Sequence, residues 1–335
     1  MEVEPVSFIR ESTRNLIKLS RRMHRDEESD SRRSLKETSI TSEDIASIAS
    51  KLKTKSAITV TDLRTLKNGL MSDTKHIEVF LNEHGALRGL VRELTGLNVD
   101  KQCLAAGCCC NLALGDVKAC STVAKAAGSY LVAALDNLTV DLAVTCAWTL
   151  GNLAGSGNKV CSILAAQGAL SKLSDVHTNE DLQDAALYAL LHFTSQMKDQ
   201  LKPEHLQKIL QMLPKLELTT NLLHLLFILS CHDHFTENMS EQLLEKLLKD
   251  LPSAIEEYNR QTKVHYKLLY IVRVLANSDK MYGLTLNYCL NNNVCDGFKS
   301  VLSRNNSVIN NSLFWLLGNL HKYCNDDGLI VKLLS

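Results

Sequence analysis

The stretch CAWTLGNLAGSGNKV, Cys146 to Val160, admits two readings with different folds behind them. Its second half, Gly155-Ser156-Gly157-Asn158-Lys159-Val160, has the glycine density of a phosphate-binding loop, while its first half puts Trp148 and Asn152 one helical turn apart in an apolar run. A P-loop needs a strand followed by GxxxxGK[ST], so that backbone amides surround the phosphate. Here the glycines follow a helical pattern and that spacing is absent, so they read as a helix cap and turn. The helical half decides the fold. On a wheel of 100° per residue, Leu142, Cys146, Thr149, Leu150 and Leu153 cluster on one side, and Trp148 and Asn152 fall together roughly opposite.

The pattern around Asn152 recurs. Aligning LRTLKNGLMS, CCCNLALGD, AWTLGNLAGSG, LYALLHFTSQ and FWLLGNLHKYC places Asn68, Asn111, Asn152, His192 and Asn319 at one position, with Ile228 and Val274 in the same register. The intervals between these numbers, 43, 41, 40, 36, 46 and 45, match the roughly 40 to 47 residues of helical armadillo or HEAT repeats. A second series, NEHGALRGLVREL, AKAAGSYLVAAL and AAQGALSKLSDV, has Gly85, Gly128 and Gly168 between a short apolar helix and a longer one, as positive-φ caps. The unit reads as short helix, glycine turn, helix, loop, long third helix. This predicts an all-α, right-handed armadillo solenoid of about seven units over residues 42–335. One face of each long helix is buried in a continuous core, and the other forms a ladder along a concave groove.

Composition agrees. Apolar residues are 45% of the 335, aromatic residues only 5%, and there are four prolines, which favours helices over strands. Thirty-seven basic residues balance thirty-seven acidic ones, so no global field points to nucleic acid or an anionic membrane. The eleven cysteines follow no zinc spacing, and consecutive Cys108, Cys109 and Cys110 diverge around a helix, so neither a metal nor another cofactor is expected. His232-Asp233-His234 reads as a polar loop, and no nucleophile elbow, HExxH or dinucleotide fingerprint appears, so a binding protein rather than an enzyme is expected. The beginning, MEVEPVSFIRESTRN, lacks a signal-peptide core, and the longest apolar run, LLHLLFILSC, is about half a membrane span. A soluble protein of the cytoplasm and nucleus is the expectation.

The run WTLGNLAGSGNKVCSILAAQGALSKL resembles the third helix, inter-repeat loop and following helices of importin-α, whose repeats carry WALGN, a glycine-rich loop and a GA-initiated helix. The chain is similar to the importin-α-related armadillo group, and FWLLGNL at Phe314 with the basic amino-terminal arm resembles the transmembrane and coiled-coil domain-containing protein 6 family. The resemblance implies that groove asparagines bond the backbone of an extended peptide or protein cargo while tryptophans form slots for lysine and arginine stems. Trp148 with Asn152 and Trp315 with Asn319 match that pair, and Tyr188 with His192 is an altered version. Asn68 and Asn111 lack a tryptophan and read rather as bonds to the neighbouring repeat, an alternative open to the other asparagines too. There are departures: the tryptophan register runs Gly107, Trp148, Tyr188, His224, Tyr270, Trp315, and Ser156 stands where such loops usually carry an acidic residue.

Residues 1–41 form a basic arm. A helix from about Ser7 to Arg25 would carry Arg10, Arg14, Lys18, Arg21, Arg22 and Arg25 along one face. This stripe resembles the importin-β-binding segment of importin-α, which implies an importin-β-type receptor as partner. Six aligned cations repel, so the free arm is expected to be poorly helical. Two functions follow: a transport adaptor carrying a peptide, or an armadillo scaffold for a folded partner. Carboxylates clustered near Trp148 would favour the adaptor.

Overall fold

The computed structural model describes residues 40–176, 179–260, 266–292 and 294–324. The arm cations Arg10, Arg14, Lys18, Arg21, Arg22 and Arg25 lie outside the described residues. Among those described there are helices and no strands, and the chain divides into two compact units between Met197 and Lys198.

The first unit contains α1 (Ser42–Thr54), α2 (Val60–Ser72), α3 (Thr74–Asn82), α4 (Ala86–Leu94), α5 (Val99–Leu112), α6 (Val117–Ala133), α7 (Val140–Ala154), α8 (Asn158–Ala166), α9 (Ala169–Leu173) and α10 (Glu180–Met197). Local chemistry starts these helices: Thr41 with Asp44 and Thr59 with Asp62 form reciprocal capping boxes, and Asp116 accepts from Ala119 N at 2.7 Å. The third helices α2, α5, α7 and α10 pack side by side in sequence, with α1, α4, α6 and α8 behind them. The apolar face expected for α7 is the buried one, since Leu142, Cys146, Thr149, Leu150 and Leu153 are all in the core. Cys120 and Cys161, one repeat apart, donate to Ala113 O and Ala154 O at 3.3 and 3.2 Å. Each thiol thus meets an orphan carbonyl at the end of the preceding third helix.

Gly85 and Gly168 adopt the expected positive φ, 100° and 87°, each just before a helix, and Gly157 does so at 146° in the loop after α7. Gly128 corrects the pattern. It sits inside the unbroken helix α6 and makes no turn. A Cβ there would lie 2.1 Å from Gln167 Oε1, and Gln167 Nε2 reaches past it to Ala124 O at 3.2 Å. The glycine is needed for close approach of the next repeat, not for a backbone that bends.

The second unit contains α11 (Pro203–Met212), α12 (Thr220–Ser230), α13 (Phe235–Asn238), α14 (Glu241–Arg260), α15 (Tyr266–Ala276), α16 (Tyr282–Asn291), α17 (Val294–Ser303) and α18 (Ser307–Cys324). Its third helices α12, α15 and α18 again pack side by side. His232-Asp233-His234 is a loop, with His232 Nε2 at 3.0 Å from Leu201 O and His234 Nδ1 at 3.3 Å from Glu237. Among the described residues no helix is long and apolar enough to cross a membrane.

Candidate functional site

The residues singled out from the sequence lie on the third helices, where Trp148, Trp315 and Asn319 are half-buried and Asn111, Asn152, Tyr188 and His192 are buried. In the first unit Trp148 is half-buried and its ring centre lies 4.2 Å from that of Tyr188, which in turn meets His192 edge-on at 4.5 Å. The Tyr188 hydroxyl donates to Asn152 Oδ1 at 2.8 Å, and Asn152 Nδ2 donates to Cys110 Sγ at 3.3 Å. Both ends of the Asn152 amide are therefore engaged, and the residue is only 8% exposed. Asn111 is buried as well and donates to Lys67 O at 2.7 Å, one repeat back. At Asn111 and Asn152 the asparagine has a structural use, its side-chain amide meeting a group of the preceding third helix, whereas Asn68 is exposed.

Gly151 makes the aromatic arrangement possible. A Cβ at that position would lie 2.7 Å from Tyr188 Cδ1 and Cε1, so only glycine lets the ring settle against α7. At Gly107, which holds the Trp148 register in α5 and has no ring, the stem of Lys67 covers the space, its Cε 2.8 Å from where a Cβ would be.

A feature that the sequence reading missed lies two helical turns before these positions. Asp100, Asp141 and Asp181 each stand seven residues ahead of Gly107, Trp148 and Tyr188, which returns them to the same face of α5, α7 and α10. All three are exposed and sit in the first turn of their helices, where a carboxylate also complements the helix dipole. Burial and then the Asp141 and Asp100 charges raise the pKa of Cys103, which places those two carboxylates around one thiol, and burial and then Asp181 raise that of Asp184. Their spacing, 41 and 40, repeats that of Asn111, Asn152 and His192 and was the signal available.

In the second unit Trp315 and Asn319 are half-buried. Asn319 Nδ2 donates to Ala276 O at 2.8 Å, and the Tyr282 hydroxyl donates to the same oxygen at 2.5 Å. Asn319 and Tyr282, but not Trp315, line an open cleft of about 490 Å³ with Asp279, Lys280, Lys322 and Tyr323. Where the asparagine register carries Ile228 and Val274, the inter-repeat bond shifts to Asn277, which donates to Ser230 Oγ at 2.8 Å. His224 stacks on Tyr270 at 4.7 Å with the rings 7° apart, and Tyr266 stacks on Tyr270 at 6.2 Å. The ladder positions His224 and Tyr270 are thus packed together, with buried Arg273 beside them.

Among the described residues no three histidine, cysteine or acidic side chains are placed to hold a metal. Burial pushes the thiols of Cys109, Cys161 and Cys289 up to about 12, which keeps them protonated and unreactive at neutral pH.

No protein-family model matches the chain, and no curated protein does. Solved structures do match. An engineered protein from a structural-genomics consortium superposes with a TM-score of 0.68 at 20% identity, covering 82% of this chain and 68% of that one. A computationally designed armadillo repeat protein for modular peptide recognition superposes at 0.56 and 19% identity, covering 70% of this chain and 99% of that one. At these identities the likeness is one of fold, and the fold is that of armadillo repeats.

Proposed function

We propose that this armadillo-repeat protein is a non-enzymatic adaptor that binds an extended peptide on the third-helix face of its first unit and takes up basic side chains there. The row Asp100, Asp141, Asp181 carries this reading: three exposed carboxylates recur at the repeat spacing, about 10 Å along the helix from the level of Trp148. A lysine or arginine stem laid on the half-buried indole has its charge within the field of that row. The designed armadillo protein made for modular peptide recognition supports the reading by sharing the fold.

Trp148→Ala is expected to weaken an octapeptide of alternating lysine and arginine by about 1 to 3 kcal/mol in fluorescence anisotropy, with an unchanged circular dichroism spectrum. Asn152→Ala acts on the same readout and also frees the Tyr188 hydroxyl, so its melting temperature falls too. Unchanged peptide affinity in Trp148→Ala would remove this face as the site and favour the scaffold for a folded partner.

Transport is the finer part of the proposal: the arm with Arg10, Arg14, Lys18, Arg21, Arg22 and Arg25 binds an importin-β-type receptor, and the protein moves between cytoplasm and nucleus. It rests on the cation pattern and on the importin-α-like run of the first unit. A peptide of residues 1–41 is expected to gain helicity on such a receptor, with affinity that falls steeply with salt, and Arg21→Glu with Arg22→Glu is expected to abolish it. Absence of salt-sensitive binding would remove transport and leave peptide binding untouched.

A further inference from the structure

On the second unit one cluster of buried polar groups has more hydrogen-bonding capacity than the chain uses. Arg273 is 4% exposed. Its Nε donates to Ser312 Oγ at 3.1 Å, and its Cζ lies 5.2 Å from the centre of the Phe227 ring. Among the described residues the guanidinium has no other acceptor and no ion pair. A guanidinium carries five N–H donors in a rigid fork, and one of them is used here. The groups acting on its charge are the Tyr270 hydroxyl and the Cys231 thiol, and no carboxylate is among them.

Largely enclosing a cation without a counter-charge is unfavourable, and the terminal nitrogens, which are not among the buried atoms lacking a partner, keep the accessible surface through which a ligand can reach them. Repeat geometry does not call for the arginine either, because the same register holds Gly151 in α7 and Gly318 in α18. His224, 7% exposed, adds an Nε2 atom without a hydrogen-bond partner. Burial, and after it the charge of Arg273, lowers the pKa of His224 to about 3, so near neutral pH the cluster holds a single positive charge. The flanking surface suits a chain: Tyr266 is 40% exposed and stacks on Tyr270, and half-buried Trp315 holds the same register in α18.

We propose that Arg273, with Tyr270 and His224 beside it, receives a carboxylate of an extended peptide bound on the third-helix face of the second unit. The fork of the guanidinium matches two carboxylate oxygens, which an acidic side chain and a free C-terminus present alike. This inference rests on the peptide-binding reading and gives the second unit a charge preference opposite to that of the first.

The test uses the full chain and four labelled octapeptides in fluorescence anisotropy: alternating serine and glutamate with an amidated end, serine and glycine with a free C-terminus, the same neutral peptide amidated, and alternating lysine and arginine. One of the two carboxylate peptides is expected to bind at least tenfold more tightly than the neutral amide, and which one does so identifies the side chain or the terminus. Arg273→Met is expected to erase that preference while melting at or above the parent temperature, because an uncompensated buried cation has been removed. Arg273→Lys keeps the charge and loses the fork, and Ser312→Ala loosens Nε, so each should retain part of the preference. A lower melting temperature in Arg273→Met with the preference intact would make the arginine structural and overturn the proposal. Equal binding of the carboxylate peptides and the neutral amide also overturns it, and peptide binding still stands if the basic or neutral peptide binds. Failure of all four peptides overturns both.

Discussion

Replacing Asp100, Asp141 and Asp181 together by asparagine is expected to weaken a lysine–arginine octapeptide by about 3 kcal/mol at low salt, on the order of a hundredfold, since each exposed carboxylate near a peptide cation contributes about 1 kcal/mol. The three lie on separate helices, so their effects should add to within a few tenths of a kcal/mol. Salt is the internal control. At physiological ionic strength the screening length is about 8 Å, so parent and variant should converge as salt rises. Each aspartate also sits in a first helical turn, where losing the charge costs about 0.3 to 1 kcal/mol of helix stability. Melting curves recorded beside the anisotropy titrations separate that effect from binding. A triple variant that binds as the parent does, with the same salt slope, would detach the acidic row from function.

Gly151→Val is expected to destabilise the first unit by about 3 kcal/mol and to disrupt the Trp148–Tyr188–Asn152 assembly at the same time. The added Cβ would meet Tyr188 Cδ1 and Cε1 at 2.7 Å and the Cα of Ala189 at 3.0 Å, and the second of these is backbone that cannot rotate away. Helix α7 must then part from α10, and the Tyr188 ring must leave the position from which its hydroxyl reaches Asn152. Gly318 holds the equivalent place in α18 and has nothing within 4 Å of its would-be Cβ. Gly318→Ala should therefore be neutral or stabilising by up to about 1 kcal/mol through helix propensity. Denaturant unfolding of the two variants gives the contrast directly, and equal midpoints would contradict the packing described.

These two glycines show how far the sequence could be read. Both belong to an LGNL motif, and periodicity places both on a third helix, yet only the neighbouring helix makes one of them indispensable. The same distinction separates Gly85 and Gly168, whose positive φ follows from local turn chemistry, from Gly128, whose role depends on Gln167 one repeat later. The buried face of α7 was legible because a 3.6-residue period survives in its residues. The asparagine register was legible too, but its partners were not: Lys67, Cys110 and Ala276 lie 42 to 44 residues earlier, and which atoms face one another is set by helix packing. The acidic row escaped because the repeats were aligned on Asn152, and Asp141 sits about three turns away in a region where helices commonly carry an aspartate. Arg273 carried no sequence signal. Nothing in YIVRVLANS says that its guanidinium is enclosed with an aromatic ring and a serine rather than a carboxylate.

The two tryptophans of the chain, Trp148 and Trp315, occupy the same repeat register, so intrinsic fluorescence reports on the third-helix face itself. In a Trp315→Phe variant Trp148 is the one tryptophan left, so excitation at the red edge, where tyrosine does not absorb, reports on it alone. Titrating that variant with the lysine–arginine octapeptide should change the Trp148 emission saturably, with the midpoint found by anisotropy and a shift to higher peptide concentration as salt is added. Binding seen by anisotropy with Trp148 emission unchanged throughout would place the peptide elsewhere and contradict the account.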